Sequence, residues 1–491
     1  MKAVKYFLIT SHMNKFFKPV LQVFSREGFL MRASFYWSLL LLILALVSYA
    51  KSYFFNDHNL PPKNNVLTVI LVIAIFLFVF SFVYFWKKID NSQTTTKRLL
   101  WFSLVFCLIA VVSLPLLSTD FYTYLIQSKV LSNYSFSPYL ITTDLFSADP
   151  VYHATVWDKT LSPYGPVQFL LYWLPSKLFG NCFWLNFLSF KILNLVFFWG
   201  CAFVIYLIST KFNSKFTNQV LYLWLWNPLV LLELLLNGHN DVFMIFFILL
   251  AGYFLLQDKI LTSLIFLVCA FFTKLTSIIV APFFLLFLVL NNKLDKLLKL
   301  LLGFLLTASL LVLFVLAPFG FNLSFLNGIR AVSGLCNIAT SSFLQSLLAF
   351  GVSFKVGLGS VFICESQVVF LGYAVLAVVF LILGWLFKKD PKVFRLFELS
   401  ALAFLGYLVL VAGWVQPWYF LWPIALCLLS EKLFYRKLVL TLTLLGFLNY
   451  FSVFKALNIM IAFYVMYYPE INRFSLRLFE SLLVKPKVKE N

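Results

Sequence analysis

Charge is what this 491-residue sequence has least of. Only 11% of its residues are Asp, Glu, Lys or Arg, against 62% hydrophobic and 20% aromatic, and the mean hydropathy is +0.95. A soluble domain carries about 25% charged and about 45–50% apolar residues, so this chain lacks the polar surface to coat a water-soluble globule. That excludes a soluble enzyme and a disordered protein. Acids are the scarcer sign, 18 against 38 Lys and Arg, for a net charge of +20. In a soluble protein that excess would suggest nucleic acid. Here the basic residues gather in short loops between apolar runs, which membrane topology explains, and no nucleic-acid partner is expected. The seven cysteines show no zinc-type clustering, and Cys107, Cys182, Cys201, Cys269 and Cys427 lie in or beside apolar runs as core residues. Walker A, Rossmann glycine, G-x-S-x-G and HExxH patterns are absent, which argues against ATP coupling and soluble dinucleotide chemistry. Residues 1–33 lack a small-residue cleavage site and read as a basic, aromatic cytoplasmic segment on the membrane surface.

What the chain has is apolar length. About twenty apolar residues span a bilayer, and apolar runs fall near 35–50, 65–86, 99–117, 182–208, 219–236, 242–257, 260–273, 276–290, 298–318, 366–387, 396–414, 418–430, 438–454 and 457–468. The expected fold is all-α and polytopic, with about 13–14 transmembrane helices in one membrane domain over 34–470 and a basic cytoplasmic tail over 471–491. The stretch 167–180, short and carrying a Pro, reads as re-entrant or interfacial. The short runs at 260–273 and 276–290, with Lys274 between them, are either two steep spans or one broken helix. With the N-terminus inside and each run crossing once, 28 of the 38 basic residues fall inside, a net +18 there against +2 elsewhere, as positive-inside orientation requires. Two long loops, 118–181 and 319–365, are then external. Cys336 and Cys364 in the second form either a disulfide or two free thiols.

Seven polar clusters stand apart from the loop charges: 118–124, 137–140, 162–166, 237–241, 273–277, 328–330 and 416–423. Under this parity all fall at the outer end of a span or in an outer loop, which points to one outward-opening site. Asp120 follows a span directly, where partial desolvation suits a general base; capping a helix together with Thr119 is the competing role. Asp241 heads an apolar segment and reads first as a helix-start acid, while His239 and Asn240 beside it sit between two hydrophobic spans. Lys274 and Arg330 are cations placed to hold a phosphate, although a Lys at a helix end also simply snorkels. Trp157, Tyr164, Trp414, Trp418, Tyr419 and Trp422 belong either to an aromatic belt or to sugar platforms, with Gln416 beside two such rings. The residues demand no metal or other cofactor, though Asp144, Asp149 and Asp158 are acids that a divalent ion would accept.

Taken in order, Asp-Phe-Tyr-Thr-Tyr (120–124), Phe-Ser-Pro-Tyr (136–139), Ser-Pro-Tyr-Gly-Pro (162–166), Trp-Asn-Pro-Leu (226–229), Asn-Gly-His-Asn-Asp (237–241) and Gln-Pro-Trp-Tyr (416–419) form a set. It resembles the bacterial polyprenyl-phosphate-mannose-dependent mannosyltransferases of the GT-C superfamily, over about residues 100–425. Ser137 stands where that pattern commonly has Asn. The resemblance implies a lipid-linked sugar donor, a lipid-linked or cell-surface glycan acceptor and a catalytic acid at Asp120. Donor phosphate contacts are then expected from Lys274, Arg330 and His239. Sugar or acceptor contacts are expected from Tyr122, Tyr124, Tyr139, Tyr164, Asn237, Asn240, Asp241, Gln416, Trp418 and Tyr419. Related enzymes transfer glucose or arabinose, so these motifs leave the sugar open. The competing class is a transporter or lipid flippase, for which Glu233 and Lys191 are the main midplane charges; such proteins show inverted repeats, and none is evident.

Overall fold

A computed structural model describes residues 29–55, 65–212, 214–292, 294–321, 323–333, 366–412 and 415–450. Cys336, Cys364, Trp414, the run 457–468 and most of the two terminal segments lie outside the described residues. The described elements are helical, as a bilayer demands of chain segments that must satisfy their backbone groups internally. The first three helices are α1 (Phe29–Phe55), α2 (Asn65–Trp86) and α3 (Gln93–Val112). Then come the short α4 (Asp120–Ser132) and α5 (Pro166–Phe179), the long α6 (Phe183–Phe212), α7 (Thr217–Leu225) and the brief α8 (Pro228–Val230). They are followed by α9 (Asp241–Leu255), α10 (Ile260–Thr273), α11 (Ala281–Asn291), α12 (Leu294–Leu316) and α13 (Phe325–Ser333). The chain closes with α14 (Ser366–Lys389), α15 (Val393–Leu410), α16 (Leu421–Cys427) and α17 (Leu433–Leu448).

Among the described residues seven helices are long and apolar enough to cross a bilayer, and an eighth if the bent pair α7–α8 is one span. The chain is an all-α, multi-pass membrane protein. α15 is central, with 72% of its apolar window buried, while α12 is peripheral at 11%. Leu302, Leu306, Leu310 and Phe314 of α12 point outward; such a face is stable only against lipid.

The site is positioned by interruptions of these helices. α3 ends at Val112 rather than running on to residue 117, because Ser113 is extended and Pro115 follows, which removes a backbone donor and disfavours helix before it. The apolar run 219–236 does not cross as one straight helix. It bends by 41° after Leu225, where the Asn227 side chain accepts from the backbone N–H of Leu229 and Val230 and Pro228 occupies the first helical position, a standard helix start. The next turn, Leu231–Leu236, is π-helical, a geometry frequent at functional sites. Gly238 then adopts φ +77°, and a Cβ there would lie 2.3 Å from the Phe121 ring. The short runs on either side of Lys274 are separate helices, since Lys274 is extended and a 3₁₀ turn, Leu275–Val280, precedes α11.

Candidate active site

Five of the seven polar clusters, 118–124, 162–166, 237–241, 273–277 and 416–423, meet directly, while 137–140 and 328–330 lie at their margin. The Asn237 side-chain oxygen accepts from the backbone N–H of Leu116 (3.1 Å) and Leu117 (3.0 Å), so the turn after the π-helical segment is tied to the strip leading into α4. Gly165 donates its backbone N–H to the Thr273 carbonyl (3.0 Å), and Gly328 of α13 packs on the Ser162 carbonyl. The His239 ring stacks on Trp418, with centroids 3.7 Å apart. Tyr139 donates its hydroxyl to the Tyr164 carbonyl (2.9 Å).

Asp120 opens α4. Its backbone N–H is taken by Ser118 Oγ, and Thr119 makes no capping bond, so the carboxylate is free for other partners. Trp157 Nε1–H donates to Asp120 Oδ1 (3.0 Å), and His239 Nδ1 lies 3.9 Å from Oδ2. The side chain retains 15% exposure. Burial pushes this carboxyl above the ordinary carboxylate range; His239, the Trp157 bond and Lys274 pull it down, and Asp241 pushes it up. A largely desolvated carboxylate that keeps some exposure is suited to accept a proton.

His239 is fully buried and faces acids on both sides. Nδ1 lies 3.4 Å from the Tyr124 hydroxyl, and Nε2 lies 3.4 Å from Glu233 Oε2. Glu233, fully buried on the π-helical turn, also accepts from Asn237 Nδ2 (3.0 Å) and from the Tyr450 hydroxyl. Lys191 donates to the carbonyls of Leu235 and Leu236, which the π-turn leaves without their usual partners. Asn194 reaches the carbonyls of Leu234 (3.2 Å) and His239 (3.4 Å) and accepts from Tyr172. The two charges expected near the midplane therefore serve as braces for the histidine turn.

On the other flank, Asp241 occupies the first turn of α9 as expected, yet its carboxylate does not cap the helix. Oδ1 accepts from Lys274 Nζ (2.8 Å) and Trp422 Nε1 (2.6 Å), while Oδ2, buried, has no hydrogen-bond partner. Lys274 is 14% exposed, an internal ion pair rather than a snorkelling cation. Its ammonium lies within 5.2–5.9 Å of the Tyr419, Trp422 and Tyr164 ring centroids. Tyr124 and Tyr164 meet edge to face, and burial holds both phenols well above their ordinary range, so they remain neutral donors. Asn240 donates to Gln168 Oε1, leaving its own oxygen and Gln168 Nε2 without partners.

Other expected contacts lie further out. Tyr139 is buried in a secondary aromatic core with Phe169, Phe319 and Phe325, and reaches the cluster only through the Tyr164 carbonyl. Tyr122 packs half-buried against the main core. Gln416 is half-buried just before the Pro417–Phe420 turn that carries Trp418 and Tyr419. Arg330 is exposed on α13, the helix resting on Ser162. Among the described residues no group of three His, Cys, Asp or Glu side chains is placed to hold a metal. Asp149 pairs with Lys129, and Asp158 and Asp144 accept from the hydroxyls of Tyr152 and Thr142. The sequence does not single out Tyr450, Gln168 or Asn194 as site residues, and Glu233 stands out there only as a midplane charge weighed under the competing transporter reading. Their only signal was polarity inside apolar runs.

The family model for the alpha-(1->6)-mannopyranosyltransferase N-terminal domain matches residues 32–290. The alpha-(1->6)-mannopyranosyltransferase A of Corynebacterium glutamicum is 25% identical over 177 residues, 34% of either chain. Its namesake from Mycobacterium tuberculosis is 24% identical over 335 residues, 64% of this chain and 62% of that protein. The chain thus covers less than two thirds of either relative. The family match takes in Asp120, Trp157, Glu233, His239, Asp241 and Lys274, while Trp418, Trp422 and Tyr450 complete the same cluster from beyond it.

Proposed function

The chain belongs to the alpha-(1->6)-mannopyranosyltransferase family, and from that premise we propose that it transfers mannose from a polyprenyl-phosphate donor to a hydroxyl of a lipid-linked or cell-surface glycan. Asp120 is the general base. It takes the proton of the acceptor hydroxyl as that oxygen attacks the anomeric carbon in line with the departing phosphate. One displacement with one base inverts the centre, so a β-linked donor yields an α-glycoside. His239 and Lys274 lie on the side where charge develops on the phosphate, with Lys274 sharing its charge between Asp241 and the donor, and Arg330 meeting the donor at the rim. The neutral phenols of Tyr124 and Tyr164 and the amides of Asn237 and Asn240 orient the sugars.

The observation that carries the reading is the Asp120 carboxyl, raised by burial yet partly open, braced by Trp157 and set beside a histidine and an ammonium. In a transport gate buried charges line a path, whereas Lys191 and Glu233 here point at backbone and at His239. The positive-inside bias supports a cytoplasmic N-terminus and an active site on the outer face of the cell membrane.

The test is transfer of labelled mannose from polyprenyl-phosphate-mannose by membranes bearing wild-type protein or Asp120→Asn at equal protein level. The variant is expected to lose at least about 100-fold of the rate, the scale of a removed general base. Persistent transfer moves the base to Asp241 or Asp158. No transfer by wild type, with glucose and arabinose donors tried as well, favours the transporter.

A further inference from the structure

The loop that brings Trp157 to Asp120 does not stop there. It runs antiparallel along α4: Trp157 bonds Asp120, Thr155 Oγ1 meets Thr123 Oγ1 (2.5 Å), and Asp149 pairs with Lys129. At 1.5 Å per residue, Lys129 lies about 13 Å along the helix axis from Asp120. At that far end is a cavity of about 370 Å³ lined by Lys129, Tyr134, Phe146, Asp149, Asn181 and Phe183, in the lower part of the ~300–1,000 Å³ range of small-molecule sites.

Its chemistry is selective. Lys129 and Asp149 are both buried and locked together, and Asp149 also accepts from the Tyr134 hydroxyl (2.8 Å) and the Val151 N–H. The site therefore carries no net charge and offers a carboxylate, which disfavours a phosphate or other anion. Tyr134 and Phe146 stack at 4.5 Å and present a combined aromatic edge, while the Tyr134 hydroxyl, the remaining Lys129 N–H groups and Asn181 offer hydrogen bonds. An aromatic wall beside neutralised polar groups suits a neutral ligand rich in hydroxyls and C–H faces.

We propose that this cavity is a distal acceptor subsite that binds non-reacting sugar residues of an oligosaccharide, whose terminal hydroxyl is thereby presented at Asp120. This rests on the glycosyltransferase reading above. A single hexose cannot reach from Asp120 to the cavity, whereas an oligosaccharide can, so the subsite makes the enzyme prefer longer acceptors.

The experiment uses the full chain in detergent with α-(1→6)-linked manno-oligosaccharides of increasing length. Wild-type kcat/KM should rise with length. Tyr134→Ala should lower it roughly tenfold for long acceptors, the scale of one lost anchor, with little change for the shortest acceptor or in donor KM. Asn181→Trp, at an exposed position, should block long acceptors without touching the buried pair. Equal loss at every length, or unchanged length preference in both variants, overturns the subsite. Binding of the longest oligosaccharide without donor, followed by saturation-transfer NMR, separates the two proposals. Tyr134-dependent binding in a protein that transfers nothing refutes the reaction but keeps the cavity, and absence of such binding refutes the cavity.

Discussion

Asp120 and its neighbours set a pH dependence whose sign follows from burial. Desolvation raises this carboxyl, and the Trp157 N–H, which bonds the ionised form, lowers it. A base must be ionised, so kcat/KM should fall as pH drops through a value above the ordinary carboxylate range. Trp157→Phe removes a bond to the charged form and should move that acid limb to higher pH. A limb left at the wild-type position would exclude Asp120 as the group being read. The sequence pointed to Asp120 through its place after an apolar run, but it did not single out Trp157 from the aromatic belt, because pairing across 37 residues leaves no local pattern. Lys274 and Asp241 were each visible as lone charges. That they form one internal pair, whose breaking typically costs about 3–5 kcal/mol, depends on α9 and α10 lying side by side.

At the level of elements, the motif Trp226-Asn227-Pro228-Leu229 works as a joint. The Asn227 cap, the 41° bend and the π-turn together swing Glu233 and His239 toward α4. Asn227 also donates to Thr443 Oγ1 (2.8 Å), which pins the joint to α17. Asn227→Ala should destabilise the protein by about 1–2 kcal/mol and lower kcat more than donor KM, because the histidine loses its aim while the binding surface survives. Thermal melting beside steady-state kinetics checks both halves, and a stability loss with unchanged kcat would make the joint structural only. Asn before Pro is a common helix start, but local sequence reads through it because the apolar run 219–236 is unbroken there. The π-turn it does not mark, because LLELLL suits any helix and the extra residue is accommodated by Lys191 and Asn194 on α6.

At the scale of the molecule, the described residues hold two polar layers separated by apolar helix. One is the site. The other holds Glu398 with Arg395, Ser430 and Lys432, near the start of α15 and before α17. α17 then carries the chain back to Tyr450 at the site, and its 16 residues rise about 24 Å, near the ~30 Å thickness of a hydrocarbon core. Cysteines placed at Ala148, beside the site loop, and at Lys389, the last residue of α14, should react with an impermeant thiol reagent from opposite sides of the membrane. Ala148→Cys is expected to react from outside only. Labelling of both positions from one side would refute the two-layer arrangement, and Ala148→Cys reacting from inside would refute the outward orientation.

Class and chemistry type were legible without any structure. Hydropathy reports directly on the solvent a segment can tolerate, so an all-helical, multi-pass chain follows from composition. A carboxyl, a histidine and a lysine that escape apolar runs mark themselves by their cost of burial. Helix bounds at Pro115 and Asn227 were not legible, because the apolar runs 99–117 and 219–236 continue through them and hydropathy does not register the break. What only the tertiary structure decided is pairing: Lys274 with Asp241, Glu233 with His239, Trp418 over the imidazole, and the loop strip along α4. Each joins residues tens to hundreds of positions apart, and their polarity alone cannot say which of several equally apolar surroundings they will share.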